Sequence, residues 1–391
     1  MLRPMSTSFR RDLARRLLQI AIIAAPAGSS AGCLTSGSCD DPPPGTALGS
    51  PVQVCGAQSG APDASTEVNG CPTGSDAEAL VLESSAPFES QTLSFTIVSG
   101  PVNKSGKCCY VVQPLVERCI GGRPFLVEDR ALVAPPRPGA SSWSDAELPL
   151  PQTADLPAEV RAELAEAWTQ DGLAEHASVA SFARFSLELL AAGAPTDLVE
   201  LAHRAALDEV RHARLCLSLA GAYAGAPVGP GAFPFAGRDG RVEVMSDLAS
   251  IAARAAREGC VGETLAAVHA AEQLARATDP AVRAALEIIA ADEARHAELA
   301  WRTVVWAVRT GGAPVRAAVA AVLENLDGDE GAAPRREGRL DRHGRLEHEE
   351  QRRLAARAIV EVVRPAARAL LGCEVGGGER RRASTLSKTL S

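Results

Sequence analysis

The chain is poor in aromatic side chains: 8 Phe, 4 Trp and 2 Tyr make up 4% of 391 residues. Its apolar mass is mostly Ala and Leu, which favours helices over a β-sandwich. It also lacks an excess of positive charge. The formal net charge is -8, the pI is near 5.5, and Arg is spread through the chain rather than massed, so nucleic acid is excluded as an expected partner. Long apolar runs are missing beyond the N-terminus, which excludes a polytopic membrane protein. The N-terminal cysteines lack paired C-x-x-C spacing, which disfavours a structural zinc site.

What is present falls into segments, and the length suggests two domains. Residues 1–33 read as an export signal. Arg10, Arg11, Arg15 and Arg16 form a basic region, Leu17 to Ala25 a short apolar stretch, and Ser30-Ala31-Gly32 a small-residue cleavage site. Ser-Ala-Gly-Cys resembles a bacterial lipobox, with Cys33 as the lipidated residue, although the usual leading Leu is missing. The stretch from Phe9 to Leu13 also resembles a twin-arginine signal. The expected location is the periplasm or cell envelope, with a lipid anchor holding the protein to the membrane.

Residues 34–75 are rich in Gly, Ser and Pro and read as a tether. Cys39, Cys55, Cys71, Cys108, Cys109 and Cys119 are even in number, which implies disulfides in an exported segment with a small core. Adjacent Cys108 and Cys109 are expected to take different partners. LSFTIV from Leu93, CYVV from Cys109 and PFLV from Pro124 read as short strands. Residues 76–135 are therefore expected to form a small β-rich, disulfide-stapled module, followed by a Pro-rich linker over 136–156.

From Pro157 the period becomes helical. Helices are expected from Pro157 to Ala192, from Thr196 to Tyr223, from Ser246 to Ala277 and from Pro280 to Arg309. Their connections run short, long, short, with Pro227 to Gly240 as the long one. C-terminal helices are expected over 311–373, with Pro365 kinking the last, and a disordered tail over 374–391.

Two helices carry the same motif, Asp208-Glu209-Val210-Arg211-His212 and Asp292-Glu293-Ala294-Arg295-His296. Three-residue spacing puts Glu and His on one helix face. The surrounding sequence repeats at an offset of 84 residues, and carrying that offset back relates Glu175 to Glu258 within one residue. Helical phase at about 100° per residue turns all four Glu into apolar stripes. Buried carboxylates that converge would repel one another, and two divalent cations relieve that repulsion. Glu263 lies about 140° from Glu258 on an ideal helix and is the reserve ligand. Cys216 reads as a core cysteine, His269 as too far along its helix to ligate, and His176 and His203 as surface residues. No Tyr lies within a few turns of a proposed ligand, so a stable tyrosyl radical is not supported.

Residues 157–310 resemble the ferritin-like di-iron carboxylate proteins, such as the rubrerythrins and the hydroxylase subunits of bacterial multicomponent monooxygenases. The resemblance implies a mainly α fold, a four-helix bundle with one long crossover. It implies two iron ions, with manganese an alternative for the same ligands. Glu209 and Glu293 would bridge, Glu175 and Glu258 would be terminal, and His212 and His296 would each bind one metal. Asp208 and Asp292 would hydrogen-bond the ligand His residues from behind. The implied activity is O₂- or peroxide-dependent redox chemistry fed by an electron donor: ferroxidation, peroxide reduction or oxygenation. The alternative is a non-enzymatic envelope lipoprotein with a helical scaffold and a disulfide-rich binding module.

Overall fold

The structure is a computed structural model. It describes residues 5–22, 46–48, 52–57, 67–68, 71–73, 77, 80–81, 92–104, 107–117, 122–127, 130–235, 242–324, 326 and 338–372. It is mainly helical, with a small strand module containing two disulfides. Cys33, Cys39 and Cys119 and the C-terminal tail beyond 372 lie outside the described residues.

The strand module is centred on a hairpin of β5 (Thr92–Lys104) and β6 (Lys107–Glu117), flanked by β1 (Thr46–Leu48) and β2 (Val52–Ala57). A two-stranded pair, β3 (Glu67–Val68) with β4 (Cys71–Pro72), lies apart from that sheet. Disulfides join Cys55 to Cys109 and Cys71 to Cys108, so the adjacent cysteines do take different partners. Tyr110, Val112, Val54 and Val81 fill the small core, and Tyr110 Oη donates to the Pro72 carbonyl at 2.7 Å. The module thus starts earlier than expected. β1 to β4 fall in the segment read as a tether, because each disulfide ties that segment to β6. Its composition hid this, since the cross-links supply what a poor apolar core does not.

β8 (Arg130–Ala131) pairs with β1 and β7 (Leu126–Val127) with β8, so both extend the module's sheet before the chain runs on to β9 (Pro136–Pro138). β9 pairs with β10 (Val228–Pro230) of the long crossover. The expected linker is therefore fastened to the helical body along part of its length.

The helical body contains α2 (Ala158–Ala191), α3 (Thr196–Ala224), a helix in three parts, and α6 (Pro280–Leu323). The three parts are α4 (Leu248–Arg254), a π-helical stretch π1 (Ala255–Glu263), and α5 (Thr264–Arg276). The N-cap of α4 is Asp247, whose side chain accepts from the Ser250 amide at 2.8 Å. α6 begins with the Asp279 carboxylate capping Ala281 and Val282, and with Pro280 in its first turn. It bends at Gly312, whose φ of 63° only glycine adopts without strain, two residues before Pro314. α2 lies along α3, and α5 and π1 lie along α6. Their apolar stripes meet in two buried clusters, one around Phe182, Phe185 and Trp301 and the other around Trp168, Leu215 and Leu286.

The last helix also has three parts: α7 (His348–Ala358), π2 (Ile359–Val363) and α8 (Arg364–Leu371). The expected kink at Pro365 takes the form of a widened turn just before it. Proline has no amide to close the ordinary bond there.

The segment read as an export signal forms a helix, α1 (Met5–Ile22), which packs on α5, α6, π2 and α8. Leu13, Leu17 and Ala21 are fully buried. Arg10 reaches Glu361 at 3.0 Å and Glu272 at 3.9 Å, and Arg16 reaches Glu298 at 2.6 Å. Removal of residues 1–33 would uncover the surface these side chains cover. No helix among the described residues is long and apolar enough to cross a membrane.

Candidate metal centre

The two motifs sit opposite each other on α3 and α6. Three-residue spacing stacks Glu209 under His212 and Glu293 under His296, so all four point between the helices. His212 Nδ1 lies 3.5 Å from Glu209 Oε2 and 3.4 Å from Glu293 Oε1. His296 Nδ1 lies 3.1 Å from Glu209 Oε1 and 3.7 Å from Glu293 Oε2. Each of these two carboxylates therefore turns one oxygen toward one imidazole and the other oxygen toward the other. The ring centroids of the two His are 5.8 Å apart.

Two donor groups result. Glu175, Glu209, His212 and Glu293 form one, and Glu263, Glu293 and His296 the other, with donor atoms within 4.8 Å of one another in each. A first-row divalent ion takes such donors at roughly 2.0–2.2 Å, so donors around one ion stand a few ångströms apart. Glu209 Oε2, His212 Nδ1, Glu263 Oε2, Glu293 Oε2 and His296 Nδ1 are all buried without a hydrogen-bond partner among the described residues. Buried polar atoms are rarely left so. Five orphans converging on one place fit a pair of cations.

Glu258 is not among them. It pairs with Arg184 at 3.2 Å, and Arg254 stands 4.0 Å away on the next turn. Glu263, held in reserve in the sequence reading, takes the place at the centre. The physical reason is π1. A helix bonded i to i+5 carries an extra residue per turn, and each extra residue shifts the downstream phase by about 100°. The count that favoured Glu258 assumed an unbroken α-helix. One signal in the sequence was available: Gly259 and Gly262 both lie in EGCVGE, and two glycines within one helical turn are costly unless something approaches closely.

Behind the donors, the aspartates act across the halves. His212 Nε2 meets Asp292 Oδ2 at 3.2 Å, and His296 Nε2 meets Asp208 Oδ2 at 3.3 Å. Arg295 ties Asp292 (2.5 Å) to Asp208 (3.3 Å). Arg211, its counterpart in the first motif, is exposed and makes no ion pair with the described residues. An Nε2–H donated to an aspartate leaves Nδ1 as the lone-pair donor, aimed inward.

The electrostatics follow from this crowding. Burial and then the charge of Glu209 push Glu175 well above the usual carboxylate range. Burial and then Glu293 do the same to Glu263. Burial opposes ionisation of Glu209 and Glu293 too, but the two neighbouring imidazoles outweigh it and hold both below that range. Burial opposes charge on His212 and His296, yet Asp292 and Asp208 behind them and the glutamates in front raise both well above the imidazole range. The protein groups alone thus share protons, and cations binding there would release them.

Access is one-sided. The Glu175 side chain is 21% exposed, whereas those of Glu209, Glu263, Glu293 and both His residues are 3% or less. Next to Glu175, His176 packs edge-on to Trp143 at 4.8 Å and against Phe233 at 5.8 Å. His176 is therefore half-buried under the crossover, not the free surface residue expected, and burial lowers its pKa. His203 is exposed, as read. Cys216 is buried. His269 stands near Arg345 and Asp171, where burial pushes its pKa down to about 4.

No protein-family model matches the chain. No curated protein and no solved structure matches it either. The functional reading rests on this geometry alone.

Proposed function

We propose that the protein is a ferritin-like di-metal carboxylate protein that holds two divalent cations, iron in the first instance, between α3 and α6. Glu209 and Glu293, each turned toward both imidazoles, would serve both ions, Glu175 and His212 would help hold one, and Glu263 and His296 the other. The observation that carries this reading is the set of five orphaned donor atoms, with Glu209 and Glu293 each split between the two imidazoles.

When bound, such a pair of ions would offer redox chemistry toward O₂ or peroxide, with carboxylate ligands that tolerate a change of charge. The chain's own residues set the stage for this. Asp292 and Asp208 keep each imidazole proton on Nε2. Phe182, edge-on to His296 at 5.1 Å, helps keep water from one side. Glu175, the one partly exposed donor, marks where ions and small oxidants arrive. The proposed activity is O₂- or peroxide-dependent redox chemistry supplied by an external electron donor. Two disulfides in the module suit an oxidising compartment and so support export.

The test is metal analysis of the full chain after loading with Fe(II) without oxygen, followed by the absorbance change and O₂ uptake on exposure to air. Two irons per chain and O₂ uptake are expected, and Glu209→Ala should lose both. Substoichiometric iron and manganese in the parent protein, with unchanged thermal stability in Glu209→Ala, would sink the reading.

A further inference from the structure

The segment 122–127, just past strand β6, lies across the helical body as a strap. Its backbone is held by a row of side chains on α2. Ser178 Oγ donates to the Arg123 carbonyl at 3.0 Å, Ser181 Oγ to the Pro124 carbonyl at 3.3 Å, and Arg184 Nη1 to the Leu126 carbonyl at 2.8 Å. On the other side, the Gly122 amide donates to the Gly262 carbonyl of π1 at 3.0 Å. The two glycines of π1 make room. A Cβ on Gly262 would stand 2.3 Å from the Gly122 carbonyl oxygen, and one on Gly259 would stand 2.6 Å from Arg123 Nη2. At Gly262 π1 needs glycine because the strap backbone presses on it, and at Gly259 because Ala300 Cβ of α6, 2.4 Å from such a Cβ, crowds it together with Arg123.

What the strap delivers is Arg123. Its side chain is fully buried, and its Nε lies 3.3 Å from Glu263 Oε1. The guanidinium stacks 4.7 Å from the Phe182 ring centre and 4.3 Å from that of Phe185. Phe182 in turn packs on His296. Arg123 therefore touches both sides of one half-site. It binds one oxygen of Glu263 and leaves Oε2 unpartnered. It also backs the ring that backs His296. A buried guanidinium is costly unless paired, and the only carboxylate it bonds among the described residues is this donor. Among the described residues, the other half-site, with Glu175 and His212, has no such prop.

We propose that Arg123 is a positioning residue for the Glu263–His296 half of the centre, so that the disulfide module completes the metal site through its strap. This rests on the di-metal reading above. Arg123 fixes which Glu263 oxygen faces the centre, holding Oε1 and leaving Oε2 turned away from the guanidinium. The two half-sites consequently differ. One is built by the helices alone, and the other needs the strap.

The experiment is a stepwise titration of metal-free full-length protein with Co(II), followed by calorimetry and by visible absorption. Parent protein should take up two ions. Arg123→Gln should keep the first and bind the second about tenfold to a hundredfold more weakly, the usual loss when a ligand's supporting partner is removed. Arg123→Lys should recover part of the loss. Glu258→Gln, which disturbs a neighbouring buried pair without touching a donor, should leave both affinities alone. If the parent fails to bind two ions, the di-metal reading falls. If the parent binds two and Arg123→Gln binds both as tightly, only the proposal for Arg123 falls. Should Arg123→Gln not fold, parent-like affinity for the second ion in Arg123→Lys overturns the proposal, because a lysine cannot reproduce the guanidinium's stacked, side-on bond.

Discussion

His212 and Asp292 belong to different copies of the repeated motif, and their hydrogen bond of 3.2 Å crosses from α3 to α6. His296 and Asp208 return the same bond at 3.3 Å. Each motif thus orients the other's imidazole, and neither half can be set up without its partner helix. Asp292 is the more enclosed of the two, with its side chain 6% exposed against 26% for Asp208. Asp292→Asn should therefore weaken metal binding by about tenfold to a hundredfold, and Asp208→Asn by less. Co(II) titration of the two variants measures this. Equal affinity in Asp292→Asn and parent would show that the crossed bond does not orient the ligand.

Glu258 and Glu263 separate structure from site. Glu263→Gln should remove one of two bound ions with little change in unfolding midpoint. Glu258→Gln should keep both ions and cost about 1–3 kcal/mol of stability, since Arg184 loses a charged partner in a buried place. Metal stoichiometry and denaturant melts, done side by side, read both. The opposite pattern, with Glu258→Gln losing metal, would return Glu258 to the ligand set.

His269 gives the fold an acid limit. An unfolded imidazole titrates near 6.5, and in the folded chain burial lowers that to about 4. Between those values the unfolded chain binds more protons, so stability present above pH 6.5 drains away as the pH falls through 4. Allowing for its partial exposure, the contribution is about 2 kcal/mol. His269→Leu should flatten the stability profile between pH 6.5 and 4 relative to the parent. Parallel profiles for the two proteins would rule out His269 as the cause.

α1 should behave as part of the core. Leu17→Ala removes a fully buried side chain and should cost about 2–4 kcal/mol. Ile22→Ala, at a side chain 56% exposed, should change little. Urea unfolding of both variants compares them. A loss no larger at Leu17 than at Ile22 would mean that α1 does not hold to the body in solution.

Much of this was legible in the linear chain because it depends on local spacing. The D-E-x-R-H pairs set Glu209 with His212 and Glu293 with His296 by helix geometry alone. Asp279-Pro280 fixed the start of α6, and adjacency forced Cys108 and Cys109 apart. Glu175 was reachable because α2 is regular from end to end, so its phase could be counted. Those features need no knowledge of what lies across the core. The rest was settled by contacts between distant segments. The strap of residues 122–127 packs against π1, and there the count fails, so Glu263 faces the centre and Glu258 turns to Arg184. Arg123 itself has no motif, and its position comes from Ser178, Ser181 and Gly262, each far away in sequence. The crossed aspartates, the buried face of α1 and the strands inside the supposed tether have the same origin. Periodicity fixes a residue's direction along its own helix, whereas its partner is chosen by whichever element fills the space opposite.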